Sequence, residues 1–148
     1  MTLDDLPCVL ELENRLFTDD AWSEDTYRIE LADTGGTRHY LVAEDGDLLA
    51  GWAGLAAAGG QGDVLTIGVR PELQGRGIGS LLLTALLDEA TVRQCGEVFL
   101  DVRADNDRAR QLYERFGFTA VGVRKRYYMP SGTDAIVMMR ESRPRGEE

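Results

Sequence analysis

A single histidine, His39, and two cysteines, Cys8 and Cys95, are all that the 148 residues hold of those types. One histidine argues against a Ser-His-Asp triad, and so few His and Cys cannot build a His/Cys metal site. The cysteines lack CxxC spacing, so no disulfide framework is expected. Cys8 lies in an apolar helical pattern and reads as packing; Cys95 stands before Gly96 in a loop. No apolar run approaches the ~20 residues of a membrane helix. The opening "MTLDDLPCVL" is acidic and has no signal-peptide pattern, so a cytoplasmic protein without membrane contact is expected. Positive charge is also scarce, with 16 Lys and Arg against 26 Asp and Glu and a net charge of −10. Direct nucleic-acid binding is therefore disfavoured. A basic peptide or amine substrate is compatible with the acidity, and so is simple solubility.

What the chain does hold reads as one domain over 1–140, with a flexible tail at 141–148. "DDLPCVLELENRLF" places Leu6, Val9, Leu10, Leu12, Leu16 and Phe17 at helical spacing, with Pro7 in a first turn and Asp4 or Asp5 as cap. A second helix follows Ser23, another capping residue. "HYLVAE" and "LLAGWAGLAA" read as strands joined at Asp45-Gly46, a hairpin signal. "GGQG" at 59–62 marks a turn into the strand "DVLTIGV". After a glycine loop comes a helix to about Thr91, then the buried strand "EVFLDV". "ADNDRARQLYERFGF" is a helix closed by Gly117, and "TAVGVRKRYY" and "DAIVMMR" are strands around "PSG". This order predicts an α/β fold: a mixed, mostly antiparallel sheet flanked by helices.

The segment "VRPELQGRGIGS" at 69–80 carries Gly75, Gly77 and Gly79 directly before an apolar helix. Helix N-termini present unpaired N–H groups and a positive dipole end, and glycine lets an anion approach them. The stretch suits a pyrophosphate; a plain surface loop is the competing reading. A P-loop would need GxxxxGK[ST], and Lys is missing. A dinucleotide fold would need GxGxxG straight from the strand, but Pro71 to Gln74 intervene and the third glycine falls one residue early. Asp101 imitates the ribose-binding acid of that fold, which keeps a dehydrogenase as a distant alternative.

Gln74-Gly75-Arg76-Gly77-Ile78-Gly79 resembles the [QR]xxGx[GA] signature of the GCN5-related N-acetyltransferase superfamily. "NDRARQLYERFGF" resembles its second signature, a helix carrying a Tyr and ending in Gly-Phe. "TIGVRPELQGRGIG", "DVRADNDRARQLYERFGF", "RKRYYMPSGTDAIVMM" and "DDAWSEDTY" are similar to the branch that acetylates ribosomal-protein N-terminal alanine. The resemblance covers nearly the whole chain. It implies acetyl-CoA as co-substrate, no metal, and as acceptor the N-terminal α-amine of a small-subunit ribosomal protein beginning with Ala. It implies that Ile67, Gly68 and Val69 offer backbone groups to the pantetheine arm and thioester. It also implies that Gly75, Arg76, Gly77, Ile78, Gly79 and Ser80 hold the pyrophosphate, with Gln74 a further cofactor-binding residue and Asn106 beside the cofactor.

In the same resemblance Tyr113 is the general acid, and Asp101 stands where the branch has a glutamate as base. Relatives begin with an edge strand before the first helix, and here that strand is expected to be missing or shortened. A monomer or weak dimer is expected. Acetyl transfer to an α-amine of pKa about 7.7–8.0 needs only a weak base, whereas a lysine at about 10.4 is harder to deprotonate. A free N–H, that of Val69, would steady the oxyanion. Each residue also has a plainer reading: Tyr113 as core cover, Asp101 as a solvated strand end, Asn106 as a cap, and Tyr127, Tyr128, Phe17 and Trp22 as packing. Two alternatives stay open: acetylation of lysine or a small amine, and a non-catalytic acyl-CoA-binding module.

Overall fold

Before the first helix the chain makes a short 3-10 turn, Leu3–Asp5, and this turn changes the expected capping. The structure, a computed structural model, describes residues 1–17, 21–33 and 36–141. Asp19 and Asp20 of "DDAWSEDTY", and the tail from 142 onward, lie outside the described residues. Helix α1 spans Leu6–Leu16 with Pro7 in its first turn. Asp5 does not cap it through its side chain, because that carboxylate turns back to accept the N–H of Thr2 at 2.8 Å. Helix α2, Glu24–Ala32, starts as the sequence reading has it, with the Ser23 hydroxyl accepting the N–H of Thr26 at 3.1 Å.

Strands β1 (Arg38–Asp45) and β2 (Leu48–Ala58) form an antiparallel hairpin across Gly46, whose φ is +64°. Strand β3, Gln61–Val69, pairs antiparallel with β2. The turn between them is only Gly59-Gly60, since Gln61 and Gly62 already pair with Ala58 and Ala57. Helix α3 (Ile78–Val92), strand β4 (Glu97–Arg103) and helix α4 (Asp107–Arg115) follow. Strands β5 (Thr119–Tyr128) and β6 (Thr133–Glu141) end the fold, so Glu141 belongs to the sheet. The sheet order is β1-β2-β3-β4-β6-β5, with β3 and β4 parallel and the other neighbours antiparallel. This is the mixed α/β sheet that the sequence predicts. Strand β1 forms one edge, and the amino group of Met1 donates to its Tyr40 carbonyl at 3.3 Å.

Helices cover both faces. Leu82, Leu83, Leu86 and Leu87 of α3 pack on Ala53, Leu55 and Val98. Each such leucine contributes about 1.5–3 kcal/mol, which fixes where the N-terminus of α3 sits. Leu6, Val9, Leu12 and Tyr27 pack on Tyr40 and Trp52 from the other side. Adjacent residues Trp52 and Ala53 thus face opposite layers, which is why β2 reads as an unbroken apolar run. The indole of Trp52 lies against β3 at Gly68, where a Cβ would stand 2.5 Å from the ring. Cys95 is buried against the α3 layer, and the Cys8 sulfur accepts from the Arg70 guanidinium at 3.2 Å.

Candidate active site

The sheet opens in its middle. Strands β3 and β4 pair only where Gln61, Gly62 and Asp63 face Glu97, Val98 and Phe99. A bulge follows at once: Leu55 faces Val64 and Gly54 faces Thr66, so Leu65 is the extra residue on β3. Bulges bend a strand and increase its twist. Beyond this point Thr66 and Ile67 diverge from Leu100 to Arg103, and the gap holds a cavity of about 180 Å³. Phe17, Trp22, Asp101, Asn106 and Tyr113 all border it.

On one side the gap leads into a cleft of about 460 Å³ beside the glycine loop. Gly75 and Gly77 both have φ +83°, which only glycine adopts cheaply. Gly77 occupies the N-cap of α3 and no side chain caps that helix, so its first-turn N–H groups face outward without intrahelical acceptors. Nothing lies within 4 Å of a Cβ built on Gly77. Ile67, Gly68, Val69, Gln74, Gly75, Gly77, Ile78, Gly79, Ser80 and Asn106 all line the cleft. Arg76 is exposed and is not among the lining residues. The cations there are Arg108 and Arg115 of α4, and no carboxylate lines the cleft among the described residues. Gln74 donates to the Val69 carbonyl at 3.2 Å and accepts from Arg108 at 3.3 Å, which holds that guanidinium over Gly75.

Tyr113 borders both the cleft and the gap. It is buried, edge-on to Phe118 at 5.9 Å between ring centres. Burial pushes its phenol well above the ordinary value, so it keeps its proton. Asn106 caps α4, its side chain accepting the N–H of Ala109 at 3.1 Å, while it also borders cleft and gap.

The gap also adjoins a larger groove of about 1120 Å³. Asp101 reaches both groove and gap. Its carboxylate accepts from the Arg124 guanidinium at 3.2 Å, and Arg124 also lies over the Tyr127 ring at 5.8 Å. Tyr127 is exposed and edge-on to the buried Tyr128; both line the groove with Trp22. Phe17 instead borders gap and cleft.

Three residues at the site escape sequence reasoning. Arg108 and Arg124 sit among other arginines, and nothing local separates them from Arg110 or Arg126. Glu13 does carry a signal: it stands four residues after Val9 and seven after Leu6, on the apolar stripe of α1. Among the described residues it is the one charged side chain in the buried set, 1% exposed.

A split sheet with a cation-lined, carboxylate-free cleft at a helix N-terminus and a neutral phenol at the junction can hold a phosphorylated ligand beside a proton donor. The chain belongs to the acetyltransferase (GNAT) family, whose model matches residues 6–118. It is 47% identical over 137 residues to the N-alpha-acetyltransferase RimI of Mycobacterium tuberculosis, covering 89% of this chain and 84% of that one. It is 33% identical over 138 residues to the putative [ribosomal protein bS18]-alanine N-acetyltransferase of Bacillus subtilis, covering 93% and 90%. The crystal structure of the ribosomal-protein-S18-alanine N-acetyltransferase from Escherichia coli superposes with a TM-score of 0.85 at 30% identity, over 100% of this chain and 94% of that one. The protein is thus an N-acetyltransferase. No helix among the described residues is long and apolar enough to cross a membrane.

Proposed function

We propose that the protein transfers the acetyl group of acetyl-CoA to the N-terminal α-amine of a protein, namely a small-subunit ribosomal protein beginning with Ala. The observation that carries this reading is that two unlike spaces meet at one gap in the sheet. The cleft is the smaller, lined by orphan N–H groups and arginines, and fits a phosphorylated thioester. The groove is larger and bordered by tyrosines, and fits an extended peptide. The names of the relatives support the choice of acceptor. The reaction takes place in the cytoplasm, with the enzyme a monomer or weak dimer.

In this reading Gly75, Gly77, Ile78, Gly79 and Ser80 take the pyrophosphate, with Arg108 rather than Arg76 as the neighbouring cation. Ile67, Gly68 and Val69 run beside the pantetheine arm, Gln74 orients Arg108, and Asn106 lines the wall. A backbone N–H at Val69 steadies negative charge growing on the carbonyl oxygen. Tyr113 gives its proton to the leaving sulfur; burial suits it, since a group that resists ionisation below pH 10 remains a donor. Asp101 accepts, through one water, a proton that the nitrogen sheds as the amide forms. Arg124 holds Asp101 at the wall of the groove until the peptide arrives.

The test is acetyl-CoA turnover across a panel: Ala-initiated peptides, the same peptides blocked at the N-terminus and offering only Lys, free lysine, and polyamines. Ala-initiated peptides are expected to react fastest. Equal rates on the blocked, Lys-bearing peptides would move the assignment to lysine acetylation.

A further inference from the structure

One buried ionisable group has no part in the transfer described above. Glu13 sits in the apolar stripe of α1 and is 1% exposed. A carboxylate there is costly, and a hydrophobic residue of similar volume is commonly as stable or more so. Its surroundings hold it in place. The Tyr27 hydroxyl donates to Glu13 Oε1, and the Trp52 indole N–H donates to the Tyr27 oxygen at 2.8 Å. This chain of bonds links α1, α2 and β2. Burial first, and then the Glu13 carboxylate, push the Tyr27 phenol far above its ordinary value, so it stays a donor. Glu13 is nonetheless not sealed inside the core, for it borders the 180 Å³ gap that Asp101 and Tyr113 also border. A side chain locked by packed hydrogen-bonding neighbours and facing a reaction space is how a precise functional group is built.

We infer that Glu13 binds the acceptor's α-ammonium group and takes its proton. This rests on the acceptor reading above. An α-amine of pKa about 7.7–8.0 arrives mostly as the ammonium ion at pH 7, and a nitrogen going from ammonium to amide sheds two protons. The first passes to the Glu13 carboxylate. The freed lone pair then forms the C–N bond as the C–S bond breaks, and the sulfur takes the Tyr113 proton. The second proton leaves the nitrogen through water toward Asp101 and refills Tyr113. The proton on Glu13 is the one released to solvent, so the count closes.

Glu13→Gln is the decisive variant, since its amide oxygen can still accept from Tyr27 while the charge is gone. With an Ala-initiated peptide, kcat/KM is expected to fall about tenfold or more at pH 7, with the peptide KM raised and the acetyl-CoA KM unchanged. The deficit should shrink toward pH 9.5, where the amine deprotonates unaided; that of Asp101→Asn should not. Tyr27→Phe keeps the carboxylate and should lose less than Glu13→Gln. A Glu13→Gln enzyme that matches wild type at every pH overturns the inference, as does a loss that is independent of pH. A Tyr27→Phe loss equal to that of Glu13→Gln also overturns it, because the network and not the charge would then matter. If wild type prefers Lys over every α-amine, the acceptor reading fails instead, and the variants are compared on Lys.

Discussion

Gly77→Val separates a phosphate cradle from a plain loop, and the structure supplies its control. Gly77 and Gly46 share a left-handed backbone, φ +83° and +64°, and neither has any atom within 4 Å of a built Cβ. A side chain at either position costs roughly 1–2 kcal/mol of backbone strain and meets no clash. For a chain near 150 residues that lowers the melting temperature by roughly 2–8 °C, alike for Gly77→Val and Gly46→Val. The two then diverge with ligand. At acetyl-CoA about 100 times the wild-type Kd, binding adds ~2.7 kcal/mol, or roughly 5–11 °C. If the valine of Gly77→Val fills the space an anion needs and weakens binding about a hundredfold, the same concentration adds only ~0.4 kcal/mol, about 1 °C. Thermal melts of both variants with and without acetyl-CoA give the answer. The Gly46 variant keeps the full ligand shift and the Gly77 variant loses most of it. A full shift in both would refute the cradle.

Arg108→Ala should raise the KM for acetyl-CoA about tenfold while leaving acetyl-pantetheine, which has no phosphates, unaffected, since the guanidinium reads charge at the cleft. Arg76→Ala should change neither, and steady-state kinetics on the two donors checks both. Asp101→Asn should lower kcat by about ten- to a hundredfold, the low end for a lost proton acceptor. Tyr113→Phe should be the more damaging change, and a pH–rate profile up to pH 10 should show no rescue, because burial keeps the wild-type phenol protonated over that range and the variant has no proton to give.

Much of this arrangement can be read along the chain wherever a local cause sets it. Ser23, Gly46 and Gly117 mark ends because a cap or a positive φ is decided by one residue and its neighbours. The glycine loop and α3 are legible for the same reason, and so is the succession of elements along the chain. Contacts between distant segments are not. That Arg108 and not Arg76 reaches the cleft depends on α4 lying across the loop, with Gln74 held by Val69. Arg124 meets Asp101 only because β5 and β4 both flank β6. The 59–62 turn is shorter than its four turn-forming residues suggest, since cross-strand pairing claims Gln61 and Gly62. Asp5 is drawn from capping by a 3-10 turn that adds its own demand at Thr2.

The three-residue seam between β3 and β4 leaves the sheet short of pairing at its centre. Past that seam the two strands turn backbone groups toward a space instead of toward each other, and peptide groups without partners are a standing cost in any fold. In the proposed binding mode, a substrate arm along β3 would do what a neighbouring strand does elsewhere in the sheet. Recognition and cohesion would then draw on the same bonds. The sheet is built one rung short at its centre, and in that mode each turnover would insert the rung and remove it again.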